Sequence, residues 1–248
     1  MIRSSLMDAR QLFRFPILFL PNPPRWDNFP RALRSQPFGL YFSNTMFLVV
    51  MNMVGTILTS SMAGYAFSRL RWRGRKVLFY ALLSTMMIPG FTTLIPTFLV
   101  WSNLKMVNTF VPLTLPAWLG SSAYNIFLVR QFFMTIPKEL DEAALIDGAN
   151  QWTIYWRIHM QLIKPVLAVL GIFTFMNVWN DLLGPVIYLN NPRMYTLSIA
   201  LASFRSIYTT QWDFLMAASA IVTMPMVIVF FLFQRYFIEG ITLTGIKG

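Results

Sequence analysis

The chain has 248 residues, of which 56% are hydrophobic and 12% charged, and it carries a net charge of +11 with a mean hydropathy of +0.56. That balance is expected when lipid solvates much of the surface, and it excludes an ordinary water-soluble globule. Cysteine is absent and histidine occurs once, as His159, which excludes disulfides and thiolate metal sites and leaves no histidine cluster for zinc or haem, so no metal site is expected.

The first forty residues carry Arg3, Arg10, Arg14, Arg25, Arg31 and Arg34 against Asp8 and Asp27. Phe13 to Leu20 is too short for a signal peptide and contains Pro16. Pro21 to Pro30 reads as an ordered connection. A bilayer core takes a helix of about 20 apolar residues, and five stretches qualify: Tyr41–Phe67, Val77–Trp101, Phe110–Met134, Pro165–Leu189 and Phe214–Phe237. Prolines 89, 96, 112, 116 and 225 fall within or near these spans, which predicts bent helices whose freed backbone groups are satisfied by neighbours. In the first span Gly55, Thr59 and Ala63, with Ser60 and Gly64 alongside, form a small-residue face suited to close helix packing within the chain. Asn44 and Asn52 are weaker candidates for a polar path through the spans, each with helix bridging as the alternative reading.

Between the first two spans, residues 69–76 hold five basic groups in eight positions, so the positive-inside rule makes this loop cytoplasmic. The remaining loops then alternate, which puts residues 1–40 outside, residues 137–165 inside and the C-terminus inside. A tail as basic as residues 1–40 is hard to export unaided. Either the topology is inverted, or an earlier helix that would carry the tail across is missing from this sequence; the second is preferred. The basic residues sit beside apolar spans, so anionic membrane lipid, and no nucleic acid, is the expected surface partner.

Pro137 to Pro165 is a polar island containing four of the nine acidic residues: Glu139, Asp141, Glu142 and Asp147. Pro137 suits a helix start, the acids favour the positive end of its dipole, and Ala143 and Ala144 are strong helix formers. Gly148 offers a break, after which Trp152, Tyr155, Trp156 and His159 recur at helical steps. That aromatic stripe either packs into a groove on a partner or lies at the membrane interface.

In the fourth span, Asn177, Asn180 and Asp181 share a helical face, and polar groups at membrane depth usually face a cavity or one another. Asp181 is open to two readings, a path-lining or gating group and an interfacial cap. Trp179 either stacks on a ring-shaped ligand or packs as an interfacial tryptophan. No phosphate-binding Gly-x-x-x-x-Gly-Lys-Ser/Thr loop is present, since Ile246 interrupts the near match from Gly240 to Lys247. One histidine and a few acids assemble no catalytic set, so the sequence does not point to an enzyme.

Glu142-Ala-Ala-x-x-x-Gly148, followed ten residues later by Ile158, resembles the EAA loop of permease subunits in binding-protein-dependent ABC importers. The likeness extends over Pro137-Lys-Glu-Leu-Asp-Glu-Ala-Ala-x-Ile-Asp-Gly-Ala149, Asn177-Val-Trp-Asn-Asp181, Gln234-Arg-Tyr-Phe and the tail Gly240 to Gly248. Together these resemble the carbohydrate-uptake branch, particularly the second permease of maltose-type transporters. The resemblance implies an all-α integral membrane protein, the core of a type I importer permease, with residues 1–40 extracytoplasmic, 41–248 the transmembrane domain and the coupling loop at 137–165. It implies that Glu142, Ala143, Ala144, Asp147, Gly148 and Ile158 couple to an ATPase, and that the tail reaches toward the ATPase interface.

The implied partners are a second permease forming a heterodimer, two copies of a cytoplasmic ATPase that bind the ATP and magnesium, an extracytoplasmic binding protein and a sugar or polyol substrate. The chain itself is expected to hold no cofactor and to sit in a bacterial or archaeal cell membrane. Two departures stand out. The family pattern Ile-x-Leu-Pro is replaced by Ile158-His159-Met160-Gln161, and the usual first of six spans is expected to be absent. The competing class is a self-contained carrier or channel, which predicts ion-binding acids in the spans and no docking motif.

Overall fold

The computed structural model describes residues 1–13, 15, 19–120, 122–205 and 211–245, with side chains described for all of these except 9 and 235–245. The tail from Gly240 falls where side chains are not described, and residues 246–248, like Arg14, lie outside the described residues. Every regular element among the described residues is helical. The chain divides into two compact units, one of Met1–Leu48, Asn108–Phe110 and Met176–Leu232, the other of Val49–Val107, Val111–Phe175 and Phe233–Gly248.

Two of the expected spans are single helices. Phe38–Ser68 has 31 residues and Trp212–Gly245 has 34, with Pro225 inside it, both longer than the ~20 residues a bilayer core needs. The second apolar stretch is not one rod. Arg75–Met87 and Gly90–Asn103 meet at 102°, because Ile88 leaves the helical region at ψ 115 and Pro89 follows at ψ 132; a residue before proline is driven from the α region by the ring. The third is two helices, Val111–Trp118 and Ala123–Thr135, parted at Gly120 with φ +142. The fourth runs over Lys164–Asn180, and the short helix Leu183–Tyr188 follows. Among the described residues, two unbroken helices are long and apolar enough to cross a bilayer, or four if each of two bent pairs counts as one crossing. The bending expected from the prolines thus falls as full breaks within the second and third apolar stretches.

In the first unit, the start of Phe38–Ser68 holds a loop that is distant in sequence. Asn44 Nδ2 donates to the carbonyls of Arg193 at 2.9 Å and Tyr195 at 3.0 Å. The hydroxyl of Thr45 accepts the Leu197 N–H, and Phe38 stacks on Phe204. Asn108, at φ +62, accepts the N–H groups of Asn190 and Asn191 on its side-chain oxygen. In the N-terminal segment Asn28 is buried and donates to the carbonyls of Ser5 and Met7, so an orderly polar connection precedes the first span.

In the second unit the small-residue face of Phe38–Ser68 packs within the chain. A Cβ on Gly55 would lie 2.8 Å from the Trp118 indole nitrogen, and one on Gly64 would lie 2.8 Å from Val129 Cγ1 and 3.1 Å from the Arg130 backbone nitrogen. Thr59 donates to the carbonyl of Ala117 and Asn52 to that of Leu113. These satisfy carbonyls of the proline-bearing helix Val111–Trp118, as apolar surroundings demand. The core around this contact is built by Tyr65, Val129, Phe133, Tyr155, Ile163 and Leu170.

Overpacking a close helix contact costs about 1–3 kcal/mol. Gly64→Ala is therefore expected to lower the thermal midpoint of the purified protein in detergent, and adding Val129→Ala is expected to recover part of the loss. A midpoint unchanged by Gly64→Ala would show that the two helices do not meet there.

Candidate functional site

Glu139–Ile146 opens with Glu139, Asp141 and Glu142 in its first turn, where the partial positive charge of exposed N–H groups favours carboxylates. It ends in a Schellman motif. Gly148 adopts φ +82, its N–H binds the Leu145 carbonyl, and the Ala149 N–H reaches back to Ala144; glycine takes this left-handed conformation without a Cβ penalty. Asn150 then caps the next helix by accepting the Thr153 N–H at 2.8 Å. That helix, Gln151–Leu162, lies at 75° to Lys164–Asn180, and its residues Ile154–His159 are wound as a π-helix.

The two helices of the island present distinct faces. Glu142, Ala143, Asp147 and Gly148 are exposed and Ala144 is buried, while Ile158 is half-buried. Beside them Leu140 and Leu145 are exposed and Ile146 is 87% exposed. The aromatic stripe divides: Trp152 and Trp156 are exposed, whereas Tyr155 and His159 are buried. Four-residue spacing puts Tyr155 and His159 on one face and Trp152 and Trp156 on the other, so the expectation of a single outward stripe is corrected.

The inward face of the island meets Arg69, just beyond the end of Phe38–Ser68. Its guanidinium donates to Asp141 Oδ2 at 3.2 Å and to the carbonyls of Phe133 and Ile136, each at 2.5 Å. Those carbonyls lie at the C-terminal end of Ala123–Thr135, where the Phe133 carbonyl also accepts the Ile136 N–H and Arg69 supplies further donors to the helix end. The other oxygen, Asp141 Oδ1, lies 2.6 Å from His159 Nε2. The imidazole sits edge-on between Tyr65 and Phe133, with ring centroids at 5.2 and 5.4 Å. Arg69 is 5% exposed, Asp141 18% and His159 0%. Two further ties hold the same helix: the Tyr65 hydroxyl donates to Gln151 Oε1 at 2.7 Å, and Ser61 Oγ lies 2.7 Å from the Tyr155 hydroxyl.

The Arg69 charge balances Asp141, so the carboxylate accepts from a neutral imidazole bearing its proton on Nε2. Burial pushes the His159 pKa below its ordinary value; the Asp141 hydrogen bond and charge act in the opposite direction, and Arg69 adds to the lowering. Nδ1 is buried with no partner among the described residues. A second proton there would be a buried unpaired donor, which disfavours the cation for the same reason.

Arginines also close the neighbouring helix end. Arg130, from Ala123–Thr135, donates to the Phe67 carbonyl at 3.3 Å and lies 4.2 Å above the Phe79 ring. Arg75 donates to the Leu70 carbonyl at 2.8 Å. The ends of Phe38–Ser68 and Ala123–Thr135 thus each receive a guanidinium from the other's segment. The acids and the basic loop are legible in the sequence but these pairings are not, since they join residues up to 72 positions apart.

In the fourth span the polar residues part company. Asn177 and Asn180 are exposed, and Asn180 donates to the Met176 carbonyl at 2.7 Å. Trp179 is buried, donates its indole N–H to the Val222 carbonyl at 3.1 Å and meets Phe42 edge-on. Asp181 Oδ1 accepts the Gly184 N–H at 3.1 Å, which caps Leu183–Tyr188, and its carbonyl accepts the Ser198 hydroxyl. In this conformation the Asp181 carboxylate is engaged at the start of a short helix and the Trp179 ring is packed.

The family model described as binding-protein-dependent transport system inner membrane component matches residues 51–242. The chain is 36% identical over 253 residues to the arabinooligosaccharides transport system permease protein AraQ of Halalkalibacterium halodurans, covering 100% of this chain and 89% of that one. It is 37% identical over 246 residues to the sn-glycerol-3-phosphate transport system permease protein UgpE of Yersinia enterocolitica, covering 95% and 86%. A chain in the crystal structure of a bacterial ABC transporter involved in the import of the acidic polysaccharide alginate superposes with a TM-score of 0.85 at 24% identity, over 95% of this chain and 88% of that one. At this identity the likeness is one of fold.

With its pKa lowered, His159 stays neutral in the folded state while the unfolded chain takes up a proton as the pH falls below about 6.5. Its contribution to stability is therefore complete above that pH and lost progressively toward the lower folded pKa. As the only histidine, it gives a single imidazole signal in a histidine-labelled sample. Nuclear magnetic resonance is expected to report the Nε2-protonated neutral tautomer persisting below pH 6.5; titration at or above 6.5 would contradict this account.

Proposed function

The chain belongs to the family of binding-protein-dependent transport system inner membrane components, and from that premise we propose that it forms half of the translocation path for a sugar or related polyol in an ABC importer. The relatives named above are permeases for arabinooligosaccharides and for sn-glycerol-3-phosphate, both hydroxyl-rich solutes, which supports the substrate class. A second permease completes the path, an external binding protein delivers the solute, and two copies of a cytoplasmic ATPase bind ATP and magnesium and supply the energy.

The observation that carries the reading is the outward face of Glu139–Ile146. Glu142 stands exposed beside Ala143 and the bare side chain of Ile146, on a helix whose other face is tied down by Asp141. An exposed large apolar residue next to a free carboxylate fits a cleft that offers an apolar pocket and a cation. Glu142 pairs with a basic residue of the ATPase, Ile146 and Ala143 enter the cleft, and the Gly148 turn and Asp147 set the angle at which the second helix, with Ile158, leaves it. Closure of the ATPases then moves the coupling loop, and the spans alternate between outward and inward access.

Within the path, Asn177 and Asn180 supply amide groups at the exposed face of the fourth span, suited to hydroxyl-bearing solutes. Trp179 and Asp181 hold that span in place from behind. A self-contained carrier would need ionisable groups open to a cavity, whereas the Asp181 carboxylate already accepts a backbone N–H.

Co-purification with the ATPase partner tests the docking face. Glu142→Ala and Ile146→Asp are each expected to weaken association about tenfold, equivalent to ~1.4 kcal/mol, and to abolish solute-stimulated ATP turnover in lipid. Solute movement by this chain alone, with no nucleotide and no ATPase, would overturn the proposal.

A further inference from the structure

We propose that the buried Arg69–Asp141–His159 cluster makes the coupling helix and the cytoplasmic end of the first span one rigid strut, so that Arg69 and Asp141 are the positioning residues that turn docking motion into movement of the spans. The inference rests on the docking role argued above and adds how the motion enters the membrane core.

Three observations carry it. First, one guanidinium serves several segments at once. Arg69 follows the helix Phe38–Ser68, takes two carbonyls at the end of Ala123–Thr135 and binds Asp141 of the coupling helix. Through Asp141 Oδ1 the contact continues to His159 in the second helix of the loop. No single-bond rotation of Arg69 keeps all of these acceptors, so displacement of any one segment is resisted by the others.

Second, the cluster lies away from water. With Arg69 and His159 nearly or wholly buried, the charges are weakly screened. Separating them would leave a buried charge unpaired, so the joint resists opening. Aromatic rings from Tyr65 and Phe133 enclose the imidazole on both sides, and Tyr65 itself reaches Gln151 at the start of the second loop helix.

Third, the cluster and the docking face occupy different sides of the same short helix. Asp141 points inward while Glu142, the next residue, is exposed. Consecutive positions differ by about 100° around a helix, so two neighbouring acids serve different partners: one holds the lever to its own membrane domain and the other is free to meet a separate chain.

The absence of cysteine permits clean spin labelling at Glu139→Cys on the coupling helix and Arg73→Cys in the basic loop, both exposed positions. In the assembled transporter, confirmed active after labelling, the distance between the labels is expected to be the same without nucleotide and with ATP trapped. A distance that changes with nucleotide state would overturn the proposal, and because this measurement uses the intact cluster it stands whether or not any substitution in it folds. In an Asp141→Ala complex that retains ATPase association, solute moved per ATP hydrolysed is expected to fall at least tenfold and the distance distribution to broaden, with Asp141→Glu restoring part of the ratio. An unchanged ratio in Asp141→Ala would equally sink the idea. Failure of the docking reading looks different: Glu142→Ala would then leave ATPase association intact while the label distance remained constant.

Discussion

A guanidinium that has left water must find acceptors for its donors and a counter-charge for its cation, and the cytoplasmic half of the second unit is organised around meeting that demand for Arg69. The Phe133 and Ile136 carbonyls at the end of one helix and one carboxylate of another supply most of it, while Arg69 Nε stays buried with no partner among the described residues. Removing a partner from such a buried pair typically costs about 3–5 kcal/mol, a large fraction of the stability of a membrane domain. The histidine then follows as a consequence. Asp141 pulls the imidazole beside it toward protonation, but Arg69 offsets part of that pull and burial outweighs the rest, which leaves the ring neutral. Arg130 and Arg75 repeat the solution at the neighbouring helix end. Positive charge, which the topology of membrane insertion places on this side, is thus put to work as the closure of helix C-termini, whose dipoles favour cations.

The membrane class, the first and last spans, the two-helix island and the break at Gly148 were all legible, since each follows from composition or from local backbone preference. The broken spans were less so. Five prolines near the spans look alike in the sequence, yet Pro96, Pro116 and Pro225 remain inside helices while Pro89 sits at a bend of 102°. A proline removes one hydrogen bond, and whether the helix continues depends on neighbours such as Asn52 and Thr59 that satisfy nearby carbonyls, which local sequence does not specify. The aromatic stripe had the right periodicity but not its orientation, for spacing defines a face and leaves open which way it turns.

The functional residues divide along the same line. Glu142, Ala143 and Gly148 were identified from a local pattern, because docking to a separate chain requires a contiguous exposed motif. Asp141 was read only as a charge at the start of a helix, and Arg69 only as part of a basic loop. Their pairing spans 72 positions and depends on the ends of two helices arriving at the same depth. The one signal that pointed toward it was the lone histidine in an otherwise apolar and aromatic setting, where a polar ring needs a partner. In the fourth span the shared face of Asn177 and Asn180 was visible from spacing. The turn of Asp181 into a cap arises from the break after Asn180, which no periodicity announces.

A docking helix does useful work only if it is stiffer than the contact it makes. Were Glu139–Ile146 loosely joined to the spans, movement of a partner would be absorbed by rotation at the joint and the membrane helices would stay where they were. The joint here has features that keep it stiff: a glycine turn closed by two backbone hydrogen bonds, a capped second helix, and a charged contact shielded from water by aromatic rings. The docking face is by contrast exposed, so a contact made there competes with water at each encounter and its charges are screened by salt. Association with a partner is then readily reversible while the internal joint is not, and that inequality lets repeated cycles of docking and closure be transmitted without unfolding the lever that carries them.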